Sequence, residues 1–333
     1  MNKAKLKFIL TIILIFSTAG AIFGWGAWAH KHISRAAVFA LPSGMITFYY
    51  NHIDFLTEGA VVPDLRRALL NDRTESSKHY IDIEDYSGVP IDSFPATLTE
   101  AYTKFDSASI YKNGWLPWYI QNLEDKLTEA FKKHNKSEII FLSAEISHYL
   151  ADAHMPLHTS ANYDGQKTDQ RGIHALWESK LPPLFGDAYN FNTPAAKFIT
   201  DIPGETWKII RQSHGLVNNL LQTEKNLRTN YDTAKLYQKD TQGNYILFYN
   251  RPVFSDDYAT SFHQALNGMV EQQLRLSIED IANFWYTAWV NAGRPNILSL
   301  DDPHLTRQNR KNFKTEYNAW TRGHVLNLEK NSE

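Results

Sequence analysis

Two pairs of residues in this chain carry the spacing that metal chemistry needs. His148 and Asp152 stand four apart, so on a helix both side chains leave one face, one turn apart, as two ligands of a single cation must. His174 and Glu178 repeat the device in residues 172–180. Between the pairs, Pro156 ends any helix that carries His148 and lets His158 turn back toward the same place. One such pair alone reads as a salt-bridged helix face, but two pairs within 31 residues, with a histidine after a proline, favour metal. Imidazole and carboxylate without thiolate suit a catalytic zinc centre, because structural zinc sites close their shell with cysteine. His154 faces elsewhere on a helix that carries His148 and reads as structural. His52, His134, His214, His263, His304 and His324 have no partner pattern and read as solvated or core residues.

Helices must position these groups. Apolar residues recur at helical spacing over residues 30–41, 45–56, 118–131, 139–150, 207–221 and, most strongly, 258–290. Pro42-Ser43-Gly44 and Pro117 open two of these segments, and Gly293-Arg294-Pro295 stops the last. The only strand-like signal is a hairpin over residues 236–254 around Gly243-Asn244. The spacing therefore predicts an all-α chain: one mostly helical domain over residues 25–298 and a polar C-terminal tail over 299–333 that wraps the surface or frays. The tryptophans Trp115, Trp118, Trp177, Trp285 and Trp289 belong to its core.

With 333 residues, 43% of them hydrophobic, and no cysteine, the chain is neither disordered, nor collagen-like, nor a disulfide scaffold. Lys3, Lys5 and Lys7 precede an uncharged apolar run to Phe23, which predicts a signal peptide over residues 1–24. Its removal leaves 31 basic against 36 acidic residues. Export without cysteine points to a secreted or periplasmic protein whose rigidity comes from packing or metals. The net charge provides no general field for phosphate, so any attraction must be local.

Read in order, Trp25-Gly26-Ala27-Trp28-Ala29-His30, Asp64-Leu65-Arg66-Arg67, His79-Tyr80-Ile81-Asp82, the His148/Asp152/Pro156/His158 group and the His174/Glu178 pair resemble the trinuclear-zinc superfamily. That superfamily joins bacterial zinc-dependent phospholipase C with the single-strand-specific zinc nucleases of fungi and plants. The resemblance covers residues 25–180 and implies three zinc ions. One would be held by the free amino group and carbonyl of Trp25 with His30. A second would take Asp64, His79, His148 and Asp152, with Asp152 bridging to the first. His158, His174 and Glu178 would hold the third. The resemblance also implies that a hydroxide between the first two ions attacks phosphorus, metal having lowered the pKa of water from about 16 to near 7. Six positive charges against the carboxylates of Asp64, Asp152 and Glu178 would let an acidic protein bind a phosphodiester.

The two branches differ in what holds the rest of the substrate. Arg67 stands three after Asp64, where the nucleases keep an arginine for the transition-state phosphate. Tyr80 and Asp82 stand where they keep a stacking aromatic and a carboxylate for the base, and stacking on an unpaired base accounts for single-strand preference. The spacing from Trp25 to His30 is similar to theirs as well. Glu178 and the Ala161-Asn162 stretch instead resemble the phospholipases, and the disulfides of fungal nucleases are absent. The expected function is thus a zinc-dependent phosphodiesterase acting on single-stranded nucleic acid or nucleotides as nuclease and 3′-nucleotidase. Phospholipase C action on phospholipid is the alternative, and a zinc-stabilised binding protein is a third. No stable protein partner is implied.

Overall fold

In the computed structural model, the described residues are 26–70, 73–86, 88–248, 250–301 and 304–328. The expected signal peptide and Trp25 lie outside them. Helices α1 (Ala27–Phe39), α2 (Ser43–Asn51), α3 (Ile53–Gly59), α4 (Val62–Leu70) and the short α5 (Arg73–Ser76) lead into an extended stretch around His79. Helices α6 (Leu98–Lys104), α7 (Ser107–Asn113), α8 (Leu116–Lys132) and α9 (Lys136–His154) follow, then the short α10 (Ile173–Ala175), α11 (Leu181–Phe185) and the long α12 (Ile202–Thr229). A two-stranded ladder, β1 (Leu247–Phe248) and β2 (Arg251–Pro252), precedes α13 (Asp256–Ala265), α14 (Met269–Asn291) and α15 (Arg307–Trp320). The all-α reading holds. Among the described residues no helix is long and apolar enough to cross a membrane.

The centre of the fold is α9. Asn135 caps it by accepting the Glu138 amide at 3.3 Å, and Pro156 stops it. From Ser143 to His154 every residue is buried, so this helix carries two histidines and Asp152 into the core on a segment wrapped by α1, α3, α8 and α14. Such groups must be paired or liganded there. Trp118, Trp177 and Trp285 are fully buried around it, while Trp115 and Trp289 pack against the core from its edge.

Three expectations on the elements are corrected. The helix expected over 45–56 breaks at His52, whose ring meets Asp301 at 2.7 Å, and the one expected over 258–290 breaks at Asn267 and Gly268, both at positive φ. Hydrophobic spacing runs through both breaks because each half still faces the core. The turn at Gly243-Asn244 forms, with Gly243 at φ +86°, but the regular ladder lies beyond it, pairing Leu247 with Pro252. The polar tail, finally, contains α15. Glu316 is buried on it, accepting Arg35 at 2.7 Å and the Tyr50 hydroxyl at 2.7 Å, and Trp320 is buried beside it. Leu298 is therefore no edge of the packed structure: a single stripe of Phe313, Tyr317 and Trp320 on a very polar helix suffices to dock it.

Candidate metal centre

Five segments converge on one buried cluster. Helix α1 supplies His30, α4 supplies Asp64, the stretch after α5 supplies His79, and α9 supplies His148 and Asp152. The 3-10 turn Pro156–Thr159 brings back His158, as the proline suggests, and residues 173–180 add His174 and Glu178. Three groups have ligand atoms within 4.8 Å of one another: His30, His148 and Asp152; Asp64, His79 and His148; and His158, His174 and Glu178. Asp152 is the hub. Its oxygens lie 2.9 Å from His79, 3.2 Å from His148, 3.6 Å from His30 and 3.8 Å from His158. Glu178 lies 3.0 Å from His174 and 3.4 Å from His158. The turn that carries it, Leu176–Lys180, is a π-turn, a wide helical turn found at functional sites.

The imidazoles are oriented from behind. The Nδ1 atoms of His148, His158 and His174 sit 2.8, 2.6 and 2.9 Å from the carbonyls of Ala60, His79 and Tyr163. A carbonyl can only accept, so each ring carries its proton on Nδ1 when neutral and turns the Nε2 lone pair to the cluster, as metal-ligating histidines do. His79 is reversed: Nδ1 faces Asp152, and Nε2 lies 3.6 Å from Glu75.

The cluster is short of positive charge. Both nitrogens of His30, both oxygens of Asp64 and of Glu178, and Oδ1 of Asp152 are buried without a hydrogen-bond partner. Burial alone would raise the Asp152 carboxyl, yet His148 and His158 hold it well below the ordinary range; Glu178 is lowered against burial by His174 and His158. Burial depresses His30, with the charge of His148 adding to it, whereas Asp152 and Asp64 overcome burial at His148 and raise it to about 9. Ionised, desolvated carboxylates among lone-pair nitrogens are a donor set that fits zinc, and zinc would displace the protons that otherwise gather at His148.

The remaining expected residues surround this cluster. Arg67 lies 3.2 Å from Asp64 and is a quarter exposed. Arg66 turns the other way and grips Glu145 through two bonds of 2.7 and 2.6 Å. Tyr80 is partly buried, its hydroxyl donating to the Lys112 carbonyl at 3.1 Å, and its ring passes Gly114, where a Cβ would come within 2.6 Å of it. Oδ1 of Asp82 is buried without a partner, and burial, reinforced by Asp85 and Glu84, lifts this carboxyl to about 7. His154 pairs with Asp280 at 2.9 Å outside the cluster, as its position on α9 requires.

Two residues escape a reading by spacing. Glu75 is buried against His79 and accepts from Lys78 at 2.7 Å, from Arg66 at 3.2 Å and from the Tyr149 hydroxyl. It stands four before His79, the same interval as the other pairs, and that interval was its signal. Tyr163, half exposed, offers its carbonyl to His174 at the cluster's open side. At the other end of the described chain, the Gly26 amide donates to the Glu178 carbonyl at 3.2 Å, which sets the start of α1 against the third group. No curated protein matches the chain. A family model described as zinc dependent phospholipase C matches residues 29–235, a span that holds the whole cluster.

Proposed function

The chain belongs to the zinc-dependent phospholipase C family, zinc-dependent hydrolases of phosphate esters, and from that premise we propose that it cleaves single-stranded nucleic acid. The reading assigns three zinc ions: one to His30 and Asp152 with the amino group of Trp25, one to Asp64, His79, His148 and Asp152, and one to His158, His174 and Glu178. Bound zinc supplies a water with a near-neutral pKa and offsets charge on the phosphate. Export would expose the amino group of Trp25 by removing residues 1–24, leaving a phosphoesterase domain from residue 25 onward.

The chain's own residues have distinct tasks. Asp152, at the centre, holds the imidazoles of both its neighbouring groups in place. Arg67 brings a planar guanidinium to a phosphate oxygen, a geometry that lysine could not reproduce. Tyr80 offers a ring for a base, and Asp82 offers an acceptor for the base's edge. The observation that carries the nucleic-acid reading is this last group: a buried carboxylate oxygen without a donor, three residues from His79, beside an aromatic ring. An unsatisfied acceptor of that kind persists where a ligand completes it.

Phospholipid is the second reading, favoured by Glu178 and by Leu65, Leu69 and Leu70, which lie exposed on α4 beside Arg67. The zinc-loaded protein beginning at Trp25 should therefore be offered single-stranded DNA and phosphatidylcholine. Faster turnover of DNA, with 5′-phosphate ends, is expected. Diacylglycerol release without DNA cleavage would transfer the assignment to phospholipase C.

A further inference from the structure

The ladder after α12 has a buried root and an apolar tip. At the root, Leu236 and Phe254 are buried, Phe254 stacks on Tyr258 at 5.3 Å, and Arg228 lies over its ring. Toward the tip, Tyr245, Ile246 and Leu247 are 47, 42 and 56% exposed, and Phe248 follows at 38%. Four consecutive exposed apolar residues are not expected on a water-facing strand, where polar residues should alternate with core positions.

The pattern also identifies the occupant. Residues along a strand alternate between its two faces, so Tyr245 and Leu247 look one way and Ile246 and Phe248 the other. A protein partner that covers one face leaves the second pair in water. An acyl phase surrounds the tip and takes up both. Lys239 lies 5.2 Å over the Tyr245 ring, the arrangement of an aromatic and a cation at a lipid–water boundary. The neighbouring charges nearly balance, Lys235, Lys239 and Arg251 against Asp240 and Asp256, so apolar transfer dominates over attraction to anionic headgroups.

We propose that this hairpin docks the protein on a lipid bilayer by inserting Tyr245, Ile246 and Leu247. The docking is coupled to the metal centre. Arg251 pairs with Asp164, and Asp164 accepts the Gly172 amide at 2.8 Å where the His174 segment starts. Tyr163, next to Asp164, holds His174 through its carbonyl at 2.9 Å. Insertion of the tip thus fixes the third metal group relative to the bilayer surface. This inference stands whether the substrate is nucleic acid or phospholipid.

The test is co-sedimentation of the zinc-loaded protein with vesicles of phosphatidylcholine, alone and mixed with phosphatidylserine. Wild type should pellet with both and lose little binding in salt. The double variant Ile246→Asp/Leu247→Asp should partition about tenfold or more weakly, while hydrolysing a small soluble phosphodiester at the wild-type rate, which shows that it folds. Absence of wild-type pelleting, or equal pelleting of the double variant, overturns the proposal. So does a wild-type dimer in solution that the double variant dissociates, because the tip then meets a second copy. Diacylglycerol release during pelleting would support docking and overturn only the nucleic-acid assignment.

Discussion

On one side of His79, Arg66, Lys78 and Tyr149 donate to Glu75 and Glu145, so that every buried carboxylate there has a cationic or hydroxyl partner. On the other side, Asp64, Asp152 and Glu178 are as deeply buried, and most of their oxygens have no hydrogen-bond partner. The two clusters share the same low-dielectric interior and nearly the same residue types. They differ in cations: the first has guanidinium and ammonium groups of its own, and the second has imidazoles turned with their lone pairs inward. Buried anions are tolerated only when paired. The contrast teaches that the second cluster is built to be completed from outside, whereas the first completes itself.

Removing metal should break the contrast most severely. A tightly held ion present at a thousandfold above its Kd contributes about 4 kcal/mol of stability, and several ions should move Tm by roughly 10 °C or more. Calorimetry of the protein before and after chelation, with elemental analysis giving three zinc per chain, checks this. An unchanged Tm would mean that the second cluster is self-sufficient.

Single ligands should follow in the order of their contacts. Asp152 faces His30, His79, His148 and His158, and Glu178 faces only His158 and His174. Asp152→Ala should abolish turnover, cost about 3–5 kcal/mol in thermal unfolding as a broken buried pair does, and bind at least two fewer ions. Glu178→Ala should lose one. Equal zinc content in the two variants would remove Asp152 from its central place.

The self-satisfied cluster gives the next effect. Glu75 lies behind His79 as the carboxylate that orients a metal-ligating imidazole, and Glu75→Gln should weaken zinc binding about 10–100-fold. Competition against a chromophoric chelator reads this directly, without reference to turnover. An unaltered affinity would confine Glu75 to holding Arg66 and Lys78.

These two clusters also mark what the sequence reveals and what it hides. His148 and Asp152 are legible because a helix converts an interval of four into one face, and His174 with Glu178 keeps that proximity even through a π-turn, since the long imidazole and carboxylate arms close to 3.0 Å. The Glu75 network is hidden because its partners come from far along the chain, Tyr149 lying 74 residues away and Glu145 pairing with Arg66 across 79. Local pattern carries no information on such pairings. Helix α15 is hidden for the opposite reason: its pattern is helical, but its docking depends on Arg35 and Tyr50, residues of α1 and α2 that only the fold brings to Glu316. The breaks at His52 and Gly268 fall where apolar spacing continues, so periodicity alone runs past them.

The smallest expected effect concerns the rim, where the same contrast between satisfied and unsatisfied groups recurs within three residues. The Tyr80 hydroxyl is occupied by the Lys112 carbonyl, whereas Oδ1 of Asp82 is buried and unpartnered. If Tyr80 serves a base through its ring alone, Tyr80→Ala should lose a stacking platform worth about 1–3 kcal/mol, which is roughly tenfold to a hundredfold in kcat/KM on a dinucleotide. A small phosphodiester without a base cannot stack and should be hydrolysed nearly as before. Asp82→Ala should change the preference among bases more than the rate on that small ester, because the carboxylate meets the base and not the phosphate. Both substitutions leave the metal ligands intact, so zinc content should stay constant. The informative quantity is the ratio of the two rates for each variant relative to wild type. A ratio that stays at the wild-type value for Tyr80→Ala, with both rates falling together, would show that the ring acts through packing against Gly114, and the nucleic-acid assignment would fall while the metal centre stood.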